Sequence, residues 1–89
     1  MRVHPRTLDI LEAEGLAPAL NAVGDVLRGE GLSKYPPRNW KRVARDEHLT
    51  KCNRHIVTPG IDHGGSERPH TANAVARLLM VLQLELENG

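Results

Sequence analysis

At 89 residues the chain has material for one small domain with a modest core, so completion by a second copy is expected. Hydrophobic residues make up 39%, mostly Leu, Val and Ala, with Tyr35 and Trp40 as the only aromatics, which argues for aliphatic helix packing and against a β fold. A net charge of +1 gives no electrostatic case for nucleic acid, the lone Cys52 excludes a disulfide framework or Cys-rich zinc site, and no apolar run approaches the ~20 residues of a membrane span.

Residues 1–6 read as a flexible arm ahead of a single domain over 1–89, with Thr7 as the cap of a short helix carrying Leu8, Ile10 and Leu11. The opening residues carry no apolar segment of the signal-peptide kind, and a reducing cytoplasm is the expected setting. Gly15 ends or loosens this helix, and Pro18 suits the first turn of a second one, where its missing N–H is no loss. Leu16, Leu20, Val23 and Leu27 recur at helical spacing and predict one buried stripe, with Gly29 and Gly31 as the stop.

Next comes a stretch, residues 30–41, that holds both aromatics. Pro36 and Pro37 restrict their own φ and disfavour helix at Tyr35, which predicts a rigid loop. Lys34, Tyr35, Arg38, Asn39 and Trp40 put scarce rings beside cations, a platform suited to a planar anionic ligand. A lone Trp in an aliphatic chain also fits a core plug, and one ring face can pack while the other stays open.

A third helix is expected over Trp40 to Ile56, thinly apolar and rich in Arg and Lys. His48, Cys52 and His55 fall at spacings of four and three and so share one side of it. Thr58 to His70 is a Gly- and Pro-rich loop. From about Thr71 to Glu87 a last helix shows a broad stripe, Ala74, Val75, Leu78, Leu79, Leu82 and Leu86. The architecture predicted is all-α, a small bundle of about four helices with one Pro-rich and one Gly-rich loop.

Two constellations carry chemistry. His55, Asp62, His63, Glu67 and His70 bracket the Gly-rich loop; residues of these types bind a divalent ion such as Mg²⁺ or Mn²⁺, bind phosphate without metal, or simply solvate a loop. His70, Asn73 and Arg77 form a polar stripe on the last helix, which fits either a solvent face or a pocket wall where Arg77 grips phosphate. Cys52 reads as an inert thiol, and Gly64-Gly65 lacks the Lys-Ser/Thr of a P-loop.

The pattern resembles the phage-associated family of dATP/dGTP diphosphohydrolase N-terminal domains. Glu30, Gly31, Lys34, Tyr35, Arg38, Asn39 and Trp40 match its E-G-x-x-K-Y-x-x-R-N-W segment, Arg54-His55 its Arg-His pair, and Gly60, Asp62 and Glu67 its Gly-acidic loop. His70, Asn73, Ala74, Arg77, Leu78 and Leu79 follow its closing H-x-x-H-A-x-x-N-L-L, except that Asn73 replaces a His and Arg77 an Asn. The resemblance, from about Pro18 to Leu86, implies a phage-encoded protein of the host cytoplasm that recognises a purine nucleotide. It implies nucleotide contacts from Lys34, Tyr35, Arg38, Asn39, Trp40, Arg54, Asn73 and Arg77, catalytic roles for His55 and His70, and a metal on Asp62, Glu67 and His70. Hydrolysis to monophosphate and pyrophosphate is one expected activity. The alternatives are a homo-oligomeric binder that sequesters a nucleotide or nucleotide-derived signal, favoured by the two replacements, and a protein-interaction domain.

Overall fold

The computed structural model describes residues 2–34 and 38–88, with residues 30–34 as backbone only. It contains four α-helices, α1 (Pro5–Ala13), α2 (Ala17–Lys34), α3 (Arg45–Ile56) and α4 (His70–Asn88), and a short 3-10 turn, Asn39–Arg42. The all-α bundle predicted is the one found. No helix among the described residues is long and apolar enough to cross a membrane.

The first helix begins at Pro5, so residues 5 and 6 belong to it and Thr7 is not its cap. Pro5 has a φ already suited to a helix and no N–H to leave unpaired at the first position. The helix closes in a Schellman arrangement. Gly15 N–H donates to Glu12 O at 2.9 Å and Leu16 N–H to Leu11 O at 2.9 Å, while Gly15 takes φ +76°, which a side chain would resist.

α2 runs through Gly29 and Gly31 to Lys34, past the stop predicted at those glycines. A glycine costs a helix about 1 kcal/mol of propensity but keeps its N–H in the ladder, so it weakens without terminating. Of the stripe expected on α2 only Val23 is buried; Leu16, Leu20 and Leu27 are exposed.

The single third helix predicted from Trp40 is instead two pieces. Arg38 adopts a left-handed φ of 67°, the chain makes the 3-10 turn, and Val43 and Ala44 are extended before α3 starts. Ala44 offers no side-chain cap, but Asp46 and Glu47 in the first turn and Arg54 and His55 in the last complement the helix dipole.

α4 packs against both α3 and α2, most extensively against α3. Its buried residues are Ala72, Asn73, Ala74, Ala76 and Val81. The leucine stripe predicted as core faces outward: Val75 is 40% exposed, Leu82 51% and Leu86 70%. Arg77 of α4 meets His48 of α3, which with Cys52 is the most deeply buried of the large side chains described.

Candidate functional site

The two polar stripes read from spacing face each other. His48, Cys52 and His55 line one side of α3, and His70, Asn73 and Arg77 the opposing side of α4, with hydrogen bonds at both levels of the seam.

At the inner level His48 is fully buried. Arg77 Nη1 lies 2.9 Å from His48 Nδ1, and His48 Nε2 lies 2.9 Å from Trp40 O. A guanidinium has only donors, so Nδ1 accepts and Nε2 carries the proton that it donates to the Trp40 carbonyl. The Trp40 ring packs edge-on against His48, centroids 6.2 Å apart, and Lys41 Nζ sits over the ring, 5.8 Å from its centroid. Trp40 thus packs partly into the fold and keeps a half-exposed ring. His48 and Cys52 are the members of this seam that have no place in the family pattern quoted above, and their helical spacing from His55 was the sign of them.

At the outer level the Gly-rich loop folds back on itself. His70 N–H donates to Gly60 O at 2.9 Å, Asp62 N–H to Arg68 O at 2.9 Å, and Ile61 bridges Pro69 in antiparallel fashion. This closure carries Asp62 from the far side of the loop to the start of α4. His55 Nδ1 and His70 Nδ1 stand 2.8 Å apart, their rings tilted by 30°. One ligand atom each from His55, Asp62 and His70 falls within 4.8 Å of the others, all three residues being half-buried.

The loop is built to hold Asp62 there. Ser66 N–H donates to Asp62 Oδ2 at 3.2 Å, and Gly65 N–H and Glu67 N–H donate to the Asp62 carbonyl. The carboxylate lies so tightly over Gly65 that a Cβ at that position would overlap it. Asn73, buried on α4, donates from Nδ2 to Ser66 Oγ at 2.8 Å and to Pro69 O at 3.3 Å, so it anchors the loop. Arg68 ties the same loop to α2 through Asp25 Oδ2 at 3.3 Å.

Glu67 goes elsewhere. With φ 58° its backbone is left-handed, and its carboxylate accepts from Gly64 N–H at 2.8 Å and meets His63 Nδ1 at 3.2 Å. Those two partners, the Gly64 N–H first, hold its carboxyl below the usual glutamate range. Glu67 therefore shapes the turn and stands outside the His55–Asp62–His70 group.

Burial lowers the proton affinity of His55, Asp62 opposes that, and His70, Arg77 and Arg54 add to it. Two guanidiniums thus act electrostatically on His55, the setting in which an anion is welcome. Of the other predicted contacts, Arg38 is exposed and Asn39 half-buried beside Trp40; Tyr35 and the side chain of Lys34 lie outside the described residues. A shallow cavity of about 340 Å³, lined by Lys41, Val43, Arg45, Leu84 and Glu85 among others, lies at the far end of α4. Its charges are already matched, Arg45 with Glu85 and Lys41 with Glu87, each at 2.6 Å.

Fold and site define a small helical domain with a His–Asp–His cluster at the open end of a polar interhelical seam. Residues 4–89 match the family described as dATP/dGTP diphosphohydrolase, N-terminal, and the chain belongs to that family. No curated protein and no solved structure shows a significant match to it.

Proposed function

We propose that the chain recognises a purine nucleoside triphosphate along the α3–α4 seam, its base towards Trp40 and its phosphates towards Arg54, Arg77 and the cluster. The observation that carries this reading is the convergence of His55, Asp62 and His70 within 4.8 Å, beside two guanidiniums, in a member of this family. His48, which contacts Trp40, and His55 are two turns apart on α3, a rise of about 10 Å that a sugar and phosphate chain can bridge. Stacking on Trp40 and charge-assisted hydrogen bonds would supply the affinity.

The reaction the family name points to is hydrolysis of dATP or dGTP. A water oxygen bonds to the α-phosphorus, the bond from that phosphorus to the bridging oxygen breaks, and pyrophosphate leaves with the monophosphate as the other product. His55, disposed by burial to stay neutral, would take the water proton in this reading.

One observation favours a second reading, a binder that keeps its nucleotide or nucleotide-derived signal intact. Among the carboxylates of the loop only Asp62 joins the cluster, because Glu67 is occupied by Gly64 and His63. A thermal-shift panel of dATP, dGTP, their monophosphates and cyclic dinucleotides, each with and without Mn²⁺, tests both readings. A raised melting temperature with deoxypurine triphosphates, followed by release of pyrophosphate, supports the hydrolase. A raised temperature with the ligand recovered whole supports the binder. No shift with any nucleotide overturns both and leaves a protein partner.

We further propose that a second copy of the chain covers the outward stripe of α4. Val75, Leu79, Leu82 and Leu86 repeat at spacings of four, three and four, the pattern of a two-helix seam, with Leu78 alongside. Glu85 and Glu87, near its end, are already paired with Arg45 and Lys41 of their own chain, so they oppose self-association little. Half-exposed leucines gain on the order of 1 kcal/mol each when such a face closes.

A further inference from the structure

The reading above assigns no metal to the cluster, yet the geometry of His55, Asp62 and His70 is specific enough to name a ligand on its own. We infer that these three residues form a binding site for a transition-metal cation of the Zn²⁺ class, in preference to Mg²⁺.

The two imidazoles carry most of the argument. Nitrogens bound to one ion at about 2.0–2.1 Å stand roughly 2.9–3.4 Å apart, depending on whether the angle between them is nearer octahedral or tetrahedral. The Nδ1 atoms of His55 and His70 are 2.8 Å apart, so both can reach one ion with only a small opening of the pair. A carboxylate oxygen of Asp62 lies within 4.8 Å of both and needs to close by at most roughly 1.4–1.9 Å to enter the same shell.

Asp62 is also prepared for that task. Its Oδ2 accepts from Ser66 N–H, the kind of outer hydrogen bond that orients a ligating carboxylate, and Gly65 leaves the space it occupies. The frame behind it is closed by the Ile61–Pro69 bridge and by the His70 N–H to Gly60 O bond, so the three donors converge from a fixed backbone. No strand or partner need be added.

The donor set selects the metal. Two imidazole nitrogens and one carboxylate suit Zn²⁺, Co²⁺ or Mn²⁺, whereas Mg²⁺ prefers oxygen ligands and retains its waters. Three protein ligands leave at least one position open, which suits a site that exchanges water for a phosphate oxygen. Without metal the same nitrogens share a single N–H···N bond. Metal entry moves that proton to the other nitrogen of its ring, with no net change in protonation of a neutral pair.

The test uses the whole chain without an added His tag, stripped with chelator and dialysed, and titrated with Zn²⁺ by calorimetry and with Co²⁺ by visible absorption. One ion per chain and Co²⁺ ligand-field bands are expected, with Mg²⁺ binding at least a hundredfold weaker. His55→Gln, Asp62→Asn and His70→Gln should each weaken Zn²⁺ by more than about tenfold. His4→Gln and His63→Gln should not, and far-UV circular dichroism should show helicity retained in all five. Zn²⁺ affinity unchanged by His55→Gln and His70→Gln, or Mg²⁺ bound as tightly as Zn²⁺, overturns the inference. The site stands or falls here without any nucleotide, so this result is separable from the nucleotide proposal.

Discussion

Arg77 Nη1 donates to the Nδ1 of a fully buried His48 at 2.9 Å, which joins α4 to α3 and, through His48 Nε2, to the carbonyl of Trp40. A residue that the family pattern singles out for departure, and that was expected to grip phosphate, therefore also holds the fold together. Its removal strips a buried ring nitrogen of its donor, which costs about 1–3 kcal/mol. Arg77→Ala should lower the unfolding free energy by that amount in urea, and Arg77→Lys, which loses the planar fork, should recover it only in part. The His48→Ala, Arg77→Ala double variant should lose less than the sum of the single changes, because each single change already breaks the same bond.

Gly65 has a different duty from the other loop glycines. Its lack of a Cβ admits the Asp62 carboxylate, so Gly65→Ala should push Asp62 out of the cluster while the helices stay intact. The expected result is unchanged far-UV circular dichroism with Zn²⁺ affinity down by tenfold or more. Gly64→Ala meets no neighbouring atom but strains a φ of +81°, and should cost stability and leave a smaller effect on metal.

The pH dependence follows from His55. Its proton affinity lies below the ordinary value of 6.5, through burial first, with His70, Arg77 and Arg54 reinforcing and Asp62 opposing. Above 6.5 the residue is neutral folded and unfolded, and its contribution is fully present. As pH falls below 6.5 the unfolded chain takes up the proton while the folded one resists, so stability declines until the folded value is passed. Melting curves from pH 7.5 to 5 should show this loss, and His55→Gln should flatten it. Glu67 behaves likewise in a lower window, below its ordinary 4.5, and Glu67→Gln should leave the loss near neutrality in place.

How much of this was legible in the sequence depends on which kind of information each feature needed. Spacing alone placed His48, Cys52 and His55 on one side of α3 and His70, Asn73 and Arg77 on one side of α4, because helical period is local. That the two sides meet was not legible, since it depends on interhelical register. The leucine stripe misled for a related reason. Hydrophobic periodicity finds the apolar face but not its partner, and here Ala72, Ala74 and Ala76 are buried while Leu78, Leu79 and Leu82 are exposed. In the loop, Asp62 and Glu67 were equivalent as carboxylates. The left-handed backbone at Glu67 turns its side chain to Gly64 and His63, and no composition rule foretells that turn. The glycines of α2 read as breakers when they only weaken the helix.

The outward stripe gives an assembly prediction. Light scattering after size exclusion should report twice the 9.8 kDa chain mass for the wild type. Leu82→Glu, which sets a charge in the middle of the seam, should return the single-chain mass with helicity retained. A wild-type monomer at high micromolar concentration contradicts the proposed pairing.

The most direct test of the seam as the functional site is imidazole nitrogen NMR of the uniformly ¹⁵N-labelled chain, first with Zn²⁺ and then with dGTP. The account predicts that Zn²⁺ moves the Nδ1 resonances of His55 and His70 and that dGTP moves them again. The Nε2–H tautomer of His48 should persist throughout, since Arg77 holds its Nδ1. If Zn²⁺ and dGTP leave His55 and His70 unmoved, or shift only the exposed His4 and His63, the seam is not the site.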